Sequence, residues 1–159
     1  MSEERQLDLE RDEKQMRMIA LTAWREEMAT GNEAIDSQHR DLLNTVEDLL
    51  LACKLQRMED EIAQLIWFLK RYVRKHFRDE EKLQRESGFS GYQHHKAEHD
   101  AFYLEVQHLE SRYREEGAST VLVVGSLHMM CDWLHTHFKQ MDQALPTICT
   151  TLNTNTSCN

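Results

Sequence analysis

The stretch IAQLIWFLKRYVRKHFRDEEKL, residues 62–83, decides the fold of this chain. Its apolar side chains recur every three or four residues, which is the period of one face of an α-helix. The stretch therefore predicts a long amphipathic helix. Two residues interrupt the apolar face, because His76 and Glu80 occupy positions where a packed core normally holds leucine.

Three more segments show the same helical period, and short connections join all four. The predicted helices cover about 37–56, 59–86, 92–115 and 119–143. Asp36 or Ser37 is the expected N-cap of the first helix, and the sequence SGFSG at 87–91 breaks the chain between the second and the third. Four helices of similar length predict an all-α fold, an up-down-up-down antiparallel four-helix bundle.

The bundle is expected to span residues 21–145. Residues 1–20 form a charged N-terminal extension, which lacks a continuous apolar stripe and is compatible with an exposed helix. The chain becomes polar after Pro146, and residues 146–159 are expected to form a disordered tail. The sequence thus predicts one domain with an extension on each side.

Composition limits the kinds of partner. The chain has 159 residues and a formal net charge of −9, and no basic stripe stands out in its sequence, so nucleic acid and anionic membranes are poor partners. We expect neither a membrane span nor a signal peptide. The four cysteines form no Cys-x-x-Cys pair, which fits a reduced cytoplasmic protein better than a disulfide framework.

Polar residues interrupt the apolar faces of all four predicted helices. These residues are His39, His76, Glu80, His95, His99 and His137. Burying an ionisable group is costly unless the group is paired or binds a metal. A single histidine in such a position is most often a satisfied core residue. Five histidines with a carboxylate, spread over four helices, favour a metal site instead.

The segment HHKAEH, residues 94–99, illustrates the spacing. His95 and His99 are four residues apart, so both project from one face of a helix, and two imidazoles on adjacent turns can bind one metal ion. His94 lies about 100° away around the helix and is expected to face solvent. Three further histidines share no position with the apolar faces and are expected at the surface: His108, His128 and His135.

The ligand types limit the choice of metal. Imidazole mixed with carboxylate suits iron, zinc, copper or manganese, whereas the lack of thiolates argues against a structural zinc site. Five histidines exceed what one ion needs if a coordination position stays open, so two ions are favoured. A ferritin-like di-iron site is a weak alternative, because it needs two Glu-x-x-His pairs and this chain has one, Glu105 with His108.

These residues, in this order, resemble the hemerythrin family and in particular its bacterial branch. The matching motifs are W…TG…ID.QH ending at His39, HF..EE.L from His76 to Leu83, H...H..F from His95 to Phe102, and WL..H....D from Trp133 to Asp142. The resemblance covers roughly residues 22–145. It implies the same up-down-up-down bundle, of which myohemerythrin is a standard example.

The resemblance implies a non-haem di-iron centre that binds O2. The implied ligands of one iron are His95, His99 and His137. The implied ligands of the other iron, which keeps an open position for O2, are His39 and His76. The carboxylates that would bridge the two iron ions, together with an oxo or hydroxo group, are Glu80 and Asp142. Asp142 lies about 140° around an ideal helix from His137, so its assignment rests on the resemblance alone.

A dry apolar pocket for O2 is also implied by the resemblance. Its candidate lining residues are Trp24, Phe77, Phe102 and Met141. Glu81 lies off the apolar face and is expected to be a solvated neighbour of Glu80.

Three functions are open for such a chain. The first is reversible O2 binding as a carrier, a store or a delivery protein, which would make the chain a binding protein and not an enzyme. The second is an O2- or redox-sensing module of a signalling protein, with a protein partner or fused module that the sequence does not identify. The third is a di-iron peroxidase or NO reductase, for which the sequence displays neither a reductant nor a route for substrate.

Overall fold

The computed structural model describes residues 5–7, 9–10, 13, 23–54 and 57–156, and at 53–54, 58–60 and 139–156 it describes the backbone alone. A short 3-10 helix and four long α-helices make up the described chain, with no strand in that part. Their bounds are Glu26–Met28 for the 3-10 helix, Glu33–Lys54 for α1, Met58–Ser87 for α2, Tyr92–Glu116 for α3 and Thr120–Thr156 for α4.

Helix α2 packs against each of the other three long helices, and α4 also packs against α1 and α3. Apolar side chains from all four helices meet in one core, which includes Leu42, Leu69, Val106 and Val123. Each of these side chains is at least nine-tenths buried, so the period-3.6 apolar faces meet as the sequence predicts. The predicted all-α fold and four-helix bundle are confirmed. None of the described helices has the length and apolar character needed to cross a membrane.

The first long helix begins earlier than the sequence analysis predicts. Its N-cap is Asn32, whose side-chain oxygen accepts hydrogen bonds from the backbone N–H of Ala34 at 3.1 Å and of Ile35 at 3.2 Å. The prediction of Asp36 or Ser37 as N-cap is therefore wrong. Asp36 has another task, because its carboxylate accepts two hydrogen bonds of 2.7 Å from the backbone and the hydroxyl of Thr30. These bonds fix the incoming segment against α1.

A tight turn between α2 and α3 brings the histidines of α3 opposite those of α2. Helix α2 ends at Ser87, and Gly88 follows in the left-handed conformation, with φ of 67°. The backbone N–H of Phe89 then bonds the carbonyl of Gln84 at 3.0 Å, which closes the last turn. Any residue other than glycine at position 88 would be strained, since a side chain disfavours this conformation.

The structure differs from the sequence prediction at the end of the chain. The backbone of α4 is helical through Pro146 to Thr156, where the sequence predicts a disordered tail. An interior proline removes one backbone hydrogen bond and crowds the carbonyl four residues earlier, at a cost of about 3 kcal/mol, and the helix of 37 residues continues past it. In the N-terminal extension, residues 5–7, 9–10 and 13 are helical and exposed. The boundaries of the bundle at residues 21 and 145 stay predictions.

The folded helix α2 carries a basic face that the sequence analysis missed. Arg71, Arg74, Lys75 and Arg78 are all exposed and are three or four residues apart or adjacent, so they share one side of the helix. We name these four residues the basic ridge of α2. The residues interleaved with the ridge are Tyr72, Val73, His76 and Phe77, which are buried, and the net charge of −9 gives no sign of the ridge. The expectation that the chain has no basic stripe is therefore wrong.

Candidate metal centre

Five histidines and one glutamate meet in the interior of the bundle, at a level reached by all four long helices. The cluster consists of His39 from α1, His76 and Glu80 from α2, His95 and His99 from α3, and His137 from α4. Glu80 is fully buried, and the most exposed histidine of the cluster, His95, shows 4% of its surface. The structure thus brings together all six residues that interrupt the predicted apolar faces.

The carboxylate of Glu80 lies between two unequal sets of imidazoles. Its Oε1 atom is 3.5 Å from Nε2 of His39 and 3.4 Å from Nε2 of His76. Its Oε2 atom faces the other three Nε2 atoms, which are those of His95 at 3.2 Å, His99 at 3.2 Å and His137 at 3.5 Å. One oxygen therefore faces two imidazoles and the other faces three, which is the geometry of a carboxylate that bridges two ions.

The ligand atoms are close enough to bind ions together. Two overlapping groups of four residues, both containing Glu80 and His137, have their ligand atoms within 4.8 Å of one another. The Nε2 atoms of His39 and His76 are 3.2 Å apart. Two nitrogen ligands about 2.1 Å from one ion lie about 3 Å from each other when they subtend roughly a right angle, so this pair has the spacing of a shared ion.

Several buried polar atoms around Glu80 lack a hydrogen-bond partner. They are Nδ1 of His39, Oε1 of Glu80, both amide atoms of Gln84, Nε2 of His99 and both ring nitrogens of His137. A buried polar atom without a partner costs about 1–3 kcal/mol. Three of these atoms, Oε1 of Glu80 and Nε2 of His99 and His137, belong to the groups whose ligand atoms converge, so the residues present fit a two-metal centre.

Burial keeps the imidazoles of His76 and His137 in the neutral form that binds metal. Burial lowers the pKa of His76 well below its usual value, despite the charge of Glu80 nearby, and lowers the pKa of His137 to about 4. Burial alone raises the pKa of Glu80, but the surrounding imidazoles together hold it well below its usual value. At neutral pH the lowered pKa values leave His76 and His137 neutral beside the Glu80 carboxylate.

Two side chains outside the cluster orient its histidines. The Nδ1–H of His76 donates to Oε1 of Gln38 at 2.8 Å, and the amide of Gln38 donates to Asp79 at 2.8 Å. The Nδ1–H of His99 donates to Oε1 of Glu81 at 3.1 Å. Each bond holds the proton on Nδ1 and leaves Nε2 free for a metal ion, as outer partners of metal-binding histidines commonly do.

Neither of these roles is predicted from the sequence. Glu81 is expected in solvent, whereas its side chain is 15% exposed and bonded to His99. Gln38 belongs to a family motif, but no role is predicted for it. The one available signal is the pair of adjacent acids, Glu80 and Glu81, because neighbours on a helix point about 100° apart and can face two different helices.

Aromatic rings enclose the cluster. Phe77 stacks on His99 with ring centroids 3.8 Å apart, and Trp133 stacks on His137 at 4.2 Å. Phe102 in turn stacks on Trp133 at 4.2 Å. Two predicted pocket residues, Phe77 and Phe102, thus lie beside the cluster, and Trp133 is a further neighbouring ring that the sequence does not assign to the pocket.

The other two pocket candidates are placed differently. Trp24 packs against the core with the guanidinium of Arg40 over its ring at 4.5 Å, and none of the described ring contacts joins it to a histidine of the cluster. Met141 lies on α4 with its side chain outside the described part. Phe138 fills a place that the sequence analysis did not assign, with its ring 4.5 Å from the ring of His39.

A family model for the "Hemerythrin HHE cation binding domain" matches residues 30–148, which is most of the chain. This chain belongs to the hemerythrin family. All six residues of the buried cluster lie inside the matched range. The hemerythrin domain therefore coincides with the part of the bundle that holds the candidate centre.

Curated relatives agree with the family match. A bacteriohemerythrin of Stenotrophomonas maltophilia is 30% identical over 79% of this chain and 80% of its own length. A myohemerythrin of Sipunculus nudus is 28% identical over 75% of this chain and 86% of its own length. A bacteriohemerythrin of Aquifex aeolicus is 28% identical over 70% and 85%. No solved structure gives a significant match.

The remaining histidines of this hemerythrin lie at the surface. The side chain of His94 is 78% exposed and lies 3.5 Å from Glu98, and His108, His128 and His135 are also exposed. Their expected positions are confirmed. Asp142, the second bridging carboxylate that the resemblance implies, lies on α4, and its side chain is outside the described part. Its role stays a prediction.

Proposed function

We propose that this chain binds O2 reversibly at a non-haem di-iron centre, as an oxygen carrier, store or delivery protein. The observation that supports this most directly is the division of imidazoles around Glu80, two at Oε1 and three at Oε2. If two ions of the same kind bind here, one would have three imidazole ligands and the other two. The ion held by His39 and His76 would then keep one coordination position open. A binding site for an external ligand needs such an open position.

The proposed cofactor is a pair of iron ions with a bridging oxo or hydroxo group. His95, His99 and His137 would hold one iron, and His39 and His76 the other. Glu80 would bridge the two, and Asp142 would be the second bridge. When bound, reduced iron would supply the electrons that O2 binding requires. Mixed imidazole and carboxylate ligands suit iron.

The residues around the cluster support reversible binding over further reaction. The hydrogen bonds from His76 to Gln38 and from His99 to Glu81 hold both imidazoles in one tautomer and one orientation. The rings of Phe77 and Trp133 stack on those of His99 and His137 and cover one face of each imidazole. A water-poor interior with few proton donors slows side reactions of a bound reactive ligand. The proposal is thus a binding function without a catalytic step.

Iron content and the visible spectrum test this proposal. We expect two iron ions per chain after anaerobic loading with Fe(II). The oxidised protein should show charge-transfer bands, and reduction with dithionite should remove these bands. Air should then produce a different spectrum that reverts when O2 is withdrawn. One iron per chain, or a reduced protein whose spectrum changes irreversibly in air, would contradict the proposal.

The arrangement of cysteines, with Cys131 free, supports a cytoplasmic location.

Sensing is a second candidate function, and helix α4 is the feature that favours it. This helix carries His137 and continues to Thr156, beyond the matched range that ends at residue 148. A rigid helix that leaves a metal site can transmit a change of ligand to another module. A change in exchange protection of the α4 amides on O2 binding would favour sensing, whereas unchanged protection would leave the carrier function.

A further inference from the structure

The exposed face of α2 has the composition of a protein-binding surface. Trp67, Arg71, Arg74 and Arg78 follow each other at spacings of four, three and four residues, so they lie on one side of the helix. Trp67 is 61% exposed, which is unusual for so large an apolar ring. Tryptophan and arginine are the residues most enriched where proteins bind other proteins.

The charges of this face are only partly neutralised. Lys75 forms a 2.9 Å ion pair with Asp79, and Arg78 lies 3.6 Å from the same carboxylate. Among the described side chains, Arg71 contacts the ring of Trp67 at 4.5 Å and neither Arg71 nor Arg74 forms an ion pair. A chain with a net charge of −9 thus presents a local positive surface. Such a surface attracts negatively charged partners over several ångströms.

A surface cavity beside the basic ridge extends to the candidate metal centre. The cavity has a volume of about 390 Å³. It is lined by the four cations of the ridge together with Gln38, Asp41, Phe68, Tyr72 and His76. Four positive side chains against one carboxylate make it cationic. The hydroxyl of Tyr72 is buried without a hydrogen-bond partner, and burial raises its pKa well above the usual value, so it keeps its proton.

Aromatic rings connect this cavity to the cluster. Phe68 and Tyr72 have ring centroids 5.7 Å apart, and Tyr72 and His76 have centroids 4.7 Å apart, with the planes nearly parallel in both pairs. His76 is one of the two imidazoles that face Oε1 of Glu80. The surface of the protein is therefore separated from a proposed iron ligand by little more than one ring.

We propose that the basic ridge of α2, with Trp67, docks an acidic electron-donor protein that reduces the di-iron centre through His76. This inference rests on the proposed function, because a carrier whose iron has become ferric must be reduced before it binds O2 again. Each encounter transfers one electron, so that the donor is oxidised by one electron and one Fe(III) becomes Fe(II). Two encounters restore the diferrous centre.

An acidic protein fits this surface better than nucleic acid or an anionic membrane. The ridge occupies one face of one helix, and Asp41 and Asp79 lie directly beside it. Phosphates in an extended array would meet these carboxylates, whereas a protein surface can match single charges. The exposed ring of Trp67 also offers an apolar anchor, which phosphate recognition does not need.

The test uses the iron-loaded, oxidised protein and a reduced acidic [2Fe–2S] ferredoxin as the donor. The rate of reduction is followed by the loss of the oxidised spectrum at low and at high salt. The variant Arg71→Gln/Arg74→Gln removes the two unpaired cations. We expect roughly tenfold slower reduction at low salt and a weaker dependence on salt, since electrostatic steering changes association rates by factors of this order or more.

A matched control carries the same change in charge on another helix. Lys96→Gln/Arg112→Gln removes two cations from α3, where they pair with Asp100 and Glu116. This variant should be reduced at the rate of the unchanged protein. A small uncharged hydroquinone should reduce all three proteins equally, because it needs no docking surface. Circular dichroism checks that all three are folded.

A binding measurement separates this inference from the proposed function. Calorimetry with oxidised ferredoxin measures docking without electron transfer, so it is informative even if the centre proves not to bind O2. We expect the affinity of the double variant to fall about tenfold, and amide shifts on ferredoxin binding to centre on residues 67–78. No binding, or equal binding by both variants, would overturn the proposal. Tighter binding of duplex DNA or anionic lipid vesicles to the same ridge would overturn it too.

Discussion

Replacing Gln38 with leucine should weaken the binding of one iron and leave the other in place. The Oε1 atom of Gln38 accepts the Nδ1–H of His76 at 2.8 Å, and Gln38 is 8% exposed. His76 must present a bare Nε2 to the metal, so its proton has to sit on Nδ1. In Gln38→Leu that N–H is buried without an acceptor whenever the metal is bound.

The penalty falls mainly on the metal-bound state. Without metal, His76 can move its proton to Nε2, which lies 3.4 Å from Oε1 of Glu80, and Nδ1 then needs no acceptor. When the metal occupies Nε2, the proton has to stay on Nδ1, and an unpaired buried donor costs about 1–3 kcal/mol. Loss of such outer partners weakens metal binding about 10–100-fold, which corresponds to about 1.4–2.8 kcal/mol. The two magnitudes agree.

Competition with an Fe(II) chelator under anaerobic conditions measures this effect. We expect Gln38→Leu to retain the iron of His95, His99 and His137 at chelator concentrations that remove the other, so that the content falls from two toward one per chain. The melting temperature of the metal-free variant should stay close to that of the unchanged protein. Gln93→Leu, at an exposed position of α3, is the control. Iron affinity equal to that of the control would refute the role of Gln38.

Three further predictions follow from the same geometry. His94→Ala should keep two iron ions and the O2-bound spectrum, whereas His99→Ala should lose iron or O2 binding; the reverse result would show that the helical phase is wrong. Removing iron should lower the melting temperature by several degrees, since metal binds the folded state and stabilises it by about 2.7 kcal/mol at a hundredfold excess over Kd; equal melting would contradict a metal-linked fold. The metal-free protein should lose stability below pH 6.5, because the pKa of His137 is about 4 in the fold and 6.5 outside it. As the pH falls, the unfolded chain binds the proton before the folded chain does. The free energy of unfolding therefore decreases by roughly 3 kcal/mol, and the decrease is complete near pH 4. Urea denaturation at pH 7 and pH 4.5 measures the decrease, and equal midpoints would contradict the prediction.

Spacing alone was enough to predict which residues meet in the interior. A position four residues from another on a helix faces the same way, so the phase of His95 and His99, and of His76 and Glu80, follows from the sequence. The same rule correctly separates His94 from its neighbours. These features are local to one helix, and local periodicity determines them before any helix has packed.

Features that depend on contacts between distant segments could not be predicted in this way. Asp36 is a residue type that often caps helices, but its carboxylate accepts a hydrogen bond from Thr30. Asn32 is the N-cap of α1 instead. Glu81 lies off the apolar face of α2 and reaches His99 on α3. The basic ridge was missed for a related reason, since net charge averages over faces that the fold separates. For Asp36 and Glu81, the hydrogen-bond partner outside their own helix decides the role of the residue.

The position of Glu80 on α2 explains how the packing of the helices determines the geometry of the candidate metal centre. A bridging carboxylate has to reach imidazoles on α1 at one oxygen and imidazoles on α3 and α4 at the other. Helix α2 packs against all three of these helices, and α2 itself adds His76 one turn before Glu80. A carboxylate on α3 could not serve, because α1 and α3 have few contacts and lie on opposite sides of α2 and α4. Helices α2 and α4 both pack against the other three long helices, and on α2 the Glu80 carboxylate lies between both sets of histidines.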